Sequence, residues 1–416
     1  MRNARHFSRR EFSIAVGSAL LGSMLGCGRR RDAAGLDEFI AGMLEKDRAP
    51  GFSAAVVVGE RLIWSGGYGL ADVHGGIEML PDSIQNIGSI SKTVTATAVM
   101  QLWEEGRFGL DDDVGDFLPY PIRNPRFPDT PITFRQLLAH RSAIKDGSAY
   151  GESYACGDPA VSLAAWIEGY FTPGGDYHDP EENFHAWEPG TVNPPPRPRA
   201  YSNVGYGVLG VLVEHIADQP FNDFCDQRIF TPLGMEETGW MLTKIDVGSH
   251  ATPHRFLGDD FEPEGAPPMD ETLPAEFATR EMLKPGSYFP HCLYSFYNYP
   301  DGLVRTSVTE LSMFLRSYIA GGTFNGARIL EPDTIRLMLS NEHFGRALCW
   351  SERGLRSGET IWGHGGGDPG ISTYMGFRER DQVGVLMFYN FDGGGEGQAE
   401  ILERLFLVGE GKAELP

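Results

Sequence analysis

Strand-like patterning is concentrated near the two ends of the chain, with most of its length in between. Residues 52–58 and 61–65 are rich in apolar and β-branched side chains. Gly59-Glu60 separates them, a Gly-X pair suited to a two-residue hairpin turn. Residues 371–377 and 382–390 repeat the pattern around a polar turn. Between these hairpins, apolar residues recur at helical spacing over 89–105, 134–140, 161–170 and 204–217, and again at the outer edges over 36–44 and 398–408. The predicted fold is therefore α+β. One antiparallel sheet is built from both chain ends and flanked by the N- and C-terminal helices, with a large helical region inserted. The expected organisation is a leader at 1–26, a tether at 27–35, a sheet domain from 36–80 plus 285–416, and a mostly helical insertion at 81–284. Two Pro/Gly-rich stretches, 171–200 and 246–301, have the length of lids or binding walls.

The 416 residues are 41% hydrophobic, enough for a sizeable core. No apolar run reaches the roughly 18 residues of a membrane span. A formal charge of −22 argues against nucleic acid and against an anionic membrane surface as partners. The N-terminus carries Arg9-Arg10-Glu11-Phe12, then a short apolar stretch ending in Leu25-Gly26-Cys27. That order describes an export signal, and the arginine pair resembles a twin-arginine leader. Cys27 resembles the lipid-bearing residue of a lipoprotein cleavage site; an ordinary cleaved signal is the alternative. The expected location is periplasmic or cell-surface, with membrane contact only through that lipid. Four more cysteines, at 156, 225, 292 and 349, are not at metal-ligand spacing. Up to two disulfides or four buried thiols both fit. No metal or other cofactor is expected.

A serine hydroxyl needs a neighbouring base before it attacks a carbonyl. Ser89-Ile90-Ser91-Lys92 places a serine and a lysine three apart, on one face of a predicted helix. Ser89 also follows Gly88 at the helix start, where free N–H groups and the positive dipole end face the reacting atom. A second Ser-x-x-Lys, Ser142 to Lys145, lies before an Asp146-Gly147 turn with no helix to align it. Ser89 is the better nucleophile.

Ile87-Gly88-Ser89-Ile90-Ser91-Lys92-Thr93 resembles the nucleophile motif of the serine β-lactamase and penicillin-binding protein superfamily. Tyr201-Ser202-Asn203 resembles its Tyr-x-Asn motif, and His364-Gly365-Gly366 its third, strand-borne motif. Leu137-Leu138-Ala139-His140, Pro232-Leu233-Gly234-Met235 and Gly302-Leu303 are similar to further family signatures, in the right order. The likeness is greatest to class C β-lactamases, D-alanyl-D-alanine carboxypeptidases and related esterases. It implies a covalent acyl-enzyme on Ser89, with Lys92 and Tyr201 moving its proton; which of the two is the base stays open. Asn203 is implied to bond the substrate amide or Lys92. His364 is implied to bring positive or hydrogen-bonding character beside Tyr201 and the substrate carboxylate. Gly366 and Gly367 would line the substrate strand, with the N–H groups of Gly367 and Ser89 as the oxyanion hole.

Histidine where most β-lactamases carry lysine weakens the grip on a substrate carboxylate. The expected function is therefore a serine hydrolase of amides or esters, with esterase or peptidase activity favoured. The substrate is a small molecule or peptidoglycan-like. β-Lactamase, D-alanyl-D-alanine carboxypeptidase and a non-catalytic penicillin-recognising binder are the alternatives.

Overall fold

The computed structural model describes residues 28–192, 201–259, 284–393 and 395–412. The leader and Cys27 lie outside the described residues. Helix α1 (Gly28–Asp47) runs into the hairpin β1 (Gly51–Val58) and β2 (Arg61–Asp72), followed by the short β3 (Ile77–Glu78). From the C-terminal part come β4 (Ser351–Gly354), β5 (Thr360–Asp368), β6 (Ile371–Arg378) and β7 (Val383–Tyr389). These seven strands form one sheet, ordered β4-β5-β6-β7-β1-β2-β3, with every pairing antiparallel. The two chain ends meet where β1 pairs with β7, Phe52 opposite Tyr389 and Val58 opposite Val383.

Period-two alternation explains why helices cover both faces of this sheet. On one face Phe52, Ala54 and Val56 join Val385 and Met387 under α1 and the last helix, α7 (Glu396–Gly409). On the other, Ala55, Val57, Leu386 and Phe388 enter the larger core with α2 (Ser91–Glu104), α3 (Phe134–Leu138), α4 (Leu163–Phe171), α5 (Val204–Ala217) and α6 (Val308–Ile319). Strands buried on both sides read as near-continuous apolar runs, as in 383–389.

Several boundaries differ from expectation for local reasons. The stretch read as a tether is helical from Gly28. The 61–65 strand continues to Asp72, through residues too glycine-rich to betray it. The 134–140 helix stops at Leu138, because His140 takes a left-handed conformation at φ 54°. Within 171–192, Phe184 and Trp187 are buried in packing, and none of these residues lines the cleft. One disulfide, Cys156–Cys292, ties two short paired strands, Ala155–Cys156 and Tyr294–Ser295. Cys225 and Cys349 remain buried thiols.

Candidate active site

The nucleophile stands on a single 3-10 turn, Gly88–Ile90, that leads directly into α2. One turn on, Lys92 is fully buried beneath it, and its Nζ donates to Ser89 Oγ at 3.0 Å. Burial is the largest influence on that amine and favours its neutral form. The oxygens of Tyr201 and Asp301 outweigh it and raise the ammonium above its ordinary value. Lys92 also donates to the Asp301 carbonyl at 2.7 Å and to Asp301 Oδ2 at 3.2 Å. The same carboxylate accepts from Asn298 at 2.7 Å and Tyr150 at 3.1 Å. Burial pushes Asp301 upward, opposed by these three donors. With every neighbour donating, its carboxylate form satisfies the site.

Tyr201 arrives from the loop before α5, and its hydroxyl is hydrogen-bonded to both Ser89 and Lys92. Burial raises the phenol, and the Lys92 charge pulls it back down. His140 stacks on the Tyr201 ring at 4.2 Å, and its Nδ1 accepts from the Ser202 N–H at 3.2 Å. Asp146 accepts from the N–H groups of Asn203 and Val204 at 2.8 and 3.0 Å, pinning the Tyr-x-Asn turn to the start of α5. Burial lifts this carboxyl to about 6.

The third motif lies on β5, facing the nucleophile turn. A Cβ at Gly366 would overlap the Ile87 carbonyl and Thr373 Oγ1, so only glycine lets the two backbones approach this closely. Gly367 follows, its N–H beside Gly88. His364 lies 6.5 Å from Tyr201 between ring centroids. Burial, followed by the Lys92 charge, holds His364 down at about 4, so it is neutral at pH 7. Its Nδ1 donates to the Gly365 carbonyl at 2.7 Å, which leaves Nε2 as an acceptor. Of the two characters implied for His364, positive or hydrogen-bonding, the neutral ring leaves the hydrogen-bonding one.

The cleft holds about 870 Å³, lined by Ser89, Tyr201, Asn203, His364, Gly366 and Gly367. These six expected site residues converge there, and the seventh, Lys92, lies buried beneath Ser89. Asn203 differs in its bonding: its amide donates to Asp146 at 3.0 Å, and the place beside Lys92 implied for it is taken by Asp301. The rival Ser142 is buried and accepts from Ile144 N–H, while Lys145 is partly exposed beside Glu182. That pair does not assemble.

Four groups at the site were not expected as site residues, although His140 ends one of the family signatures and Asp146 reads as part of a turn. Asp301, His140 and Asp146 organise the catalytic trio. Asp368, at the end of β5, accepts from Tyr154 at 2.7 Å and Asn86 at 3.1 Å, and burial raises it to about 7. Asp301 carried one signal, since it stands just before Gly302-Leu303, where the resembled loop has another glycine.

Comparisons with known proteins agree with this fold. The chain is 25% identical over 373 residues to Protein flp of Staphylococcus aureus (strain N315), an alignment covering 86% of this chain but 63% of that relative. The chain thus spans less than two thirds of that protein. It superposes on the octameric penicillin-binding protein homologue from Pyrococcus abyssi with a TM-score of 0.66, at 23% identity, covering 92% and 78% of the two chains. For the D-amino acid amidase from Ochrobactrum anthropi SV3 the TM-score is 0.65, at 20% identity, covering 90% and 99%. These likenesses establish the fold. The family model described as Beta-lactamase matches residues 36–410, from the buried Leu36 of α1 to the end of α7. By that match, the chain belongs to the beta-lactamase family, within the serine β-lactamase and penicillin-binding protein superfamily.

Proposed function

We propose that the protein is an exported acyl-transfer hydrolase that cleaves amides or esters whose acyl portion carries a free ammonium. The observation that carries this reading is the charge of the cleft. Asp301 is spent on Lys92, and His364 is neutral. Asp368 then stands one residue beyond Gly367 with acceptor positions to spare. A substrate ammonium at that end supplies the positive charge a buried carboxyl lacks, and draws Asp368 into its ionised form. A substrate carboxylate beside Tyr201 meets no cation on the third motif itself; Arg346 and Arg353 line other walls of the cleft.

In the proposed cycle, Ser89 Oγ attacks the substrate carbonyl while the Tyr201–Lys92 pair takes its proton. The N–H groups of Ser89 and Gly367 receive the oxyanion. The pair returns the proton to the departing amine or alcohol, and water hydrolyses the acyl-enzyme by the same route in reverse. The similarity to a D-amino acid amidase is consistent with an amino-bearing acyl group. The Cys156–Cys292 disulfide fits an oxidising compartment outside the cytoplasm, in line with a leader at 1–26 and a lipid at Cys27.

The test compares kcat/KM for the amide and p-nitrophenyl ester of phenylalanine, in both enantiomers, with the N-acetylated forms. At least about a tenfold preference for the free amine is expected. Asp368→Asn should abolish that preference, and Ser89→Ala all turnover. Equal or better hydrolysis of N-acetyl substrates, or nitrocefin as the preferred substrate, would reject the reading.

A further inference from the structure

A second cluster of chemistry-bearing side chains lies at the far end of β2, outside the catalytic cleft lining. Asp72 ends that strand, His74 follows in the turn to β3, and His254 comes from the short strand His254–Phe256. One ligand atom from each residue lies within 4.8 Å of the other two. We infer that Asp72, His74 and His254 form a binding site for a borderline divalent cation such as Zn2+.

Three features support a cation rather than a packing contact. First, the donor set of two imidazoles and a carboxylate suits zinc and its neighbours, and leaves room for water as a fourth ligand. Second, the two imidazoles lie side by side, their ring centroids 6.4 Å apart and the rings near-parallel at 12°. His254 is fully buried, and the Val73 N–H lies 3.5 Å from its Nε2, so that nitrogen faces the turn between Asp72 and His74. Third, the turn already holds two of the ligands together, the His74 N–H donating to Asp72 Oδ1 at 2.9 Å. Ligand atoms around zinc stand about 3.3 Å apart for bonds of about 2.0–2.1 Å, so the trio needs to draw in by at most about 1.5 Å. His74 is exposed and Gly75-Gly76 follow it, which makes the turn the moving part and His254 the fixed one.

The placement gives the site a consequence. The His254 N–H bonds the carbonyls of Gly370 and Asn390, and the Thr252 N–H bonds the Ala71 carbonyl. Gly370 lies in the turn joining β5 to β6, so a cation on His254 would clamp the edge hairpin to the segment that braces the catalytic strand.

The test uses untagged, chelator-treated full-length protein and Co2+ as a visible probe. One saturable equivalent should give a d–d absorption band that Zn2+ displaces, and the melting temperature should rise with Zn2+. His74→Ala and Asp72→Asn change only the turn, so they should fold and weaken binding by at least about tenfold. His215→Ala, on an exposed face of α5, should bind as wild type does. Non-saturable binding, or wild-type affinity in both turn variants, would overturn the assignment and leave adventitious surface binding only. Because binding is read without substrate, this outcome is independent of the activity proposed above.

Discussion

Asp301 decides how protons are arranged around the nucleophile. Ser89 gives up its proton only when the Lys92–Tyr201 pair is short of one, whichever of the two atoms holds the vacancy. A carboxylate in contact with Lys92 stabilises the fully protonated pair, so activity is expected to rise with pH toward the alkaline side. Asp301→Asn keeps the shape and removes the charge. It also lets the new amide donate to a neutral lysine amine. The acid limb of kcat/KM should then move down by about one pH unit or more. An unmoved limb, with only a lower kcat, would make Asp301 a purely structural partner. His140 and Asp146 act differently, through the orientation of Tyr201 and of the α5 N-terminus.

At the scale of elements, the site depends on two close backbone approaches. Gly366 lets β5 lie against the nucleophile turn. Gly207 on α5 does the same for the 298–302 segment, since a Cβ there would overlap the Asn298 amide. The Asp301 carboxylate is thereby carried onto Lys92. Gly366→Ala should push β5 away from Ile87 and displace the Gly367 N–H from the oxyanion position, lowering kcat by about a hundredfold. Gly367→Ala meets nothing within 4 Å and should keep most activity. Equal activity of both variants would show that β5 yields without cost. These approaches also explain what the sequence made legible. Ser89 and Lys92 were readable because helical spacing alone joins them, and Tyr201 and His364 because their neighbours form motifs. Asp301 contacts Lys92 across 209 residues and Tyr154 contacts Asp368 across 214, separations on which no local pattern reports. The sheet was legible from its two hairpins. The extension of β2 and the short strands around the disulfide were not, because glycine-rich or two-residue pairings leave no periodicity to read.

The whole molecule buries titratable groups of opposite tendency, and their sum sets its stability against pH. His254 and His364 are each held at about 4, and His140 well below its ordinary value, burial being the largest cause in every case. Such groups bind protons better when unfolded. Their contribution is present above about pH 6.5 and is lost as pH falls toward 4. A shift of that size is worth about 3 kcal/mol for one fully buried ring. Asp146 and Asp368, raised to about 6 and about 7, oppose this. Their contribution is complete below the unfolded value near 4 and is lost as pH rises through 6 and 7. His250 is likewise held at about 3, and His185 and His343 are lowered, against the further raised carboxyls Glu214, Asp226 and Asp301, so six histidines stand against five carboxyls and unfolding takes up protons on balance near pH 5. Metal-free protein should therefore lose stability as pH falls from 6.5 to 4.5. Removing one member of either set isolates its share. His364→Gln should flatten the acid slope, whereas Asp368→Asn should steepen it, in urea unfolding curves collected at pH 4.5, 5.5 and 7. If His364→Gln leaves the slope unchanged, the imidazole is already charged in the folded protein. The neutral third motif, on which the preference for ammonium-bearing substrates depends, would then be wrong.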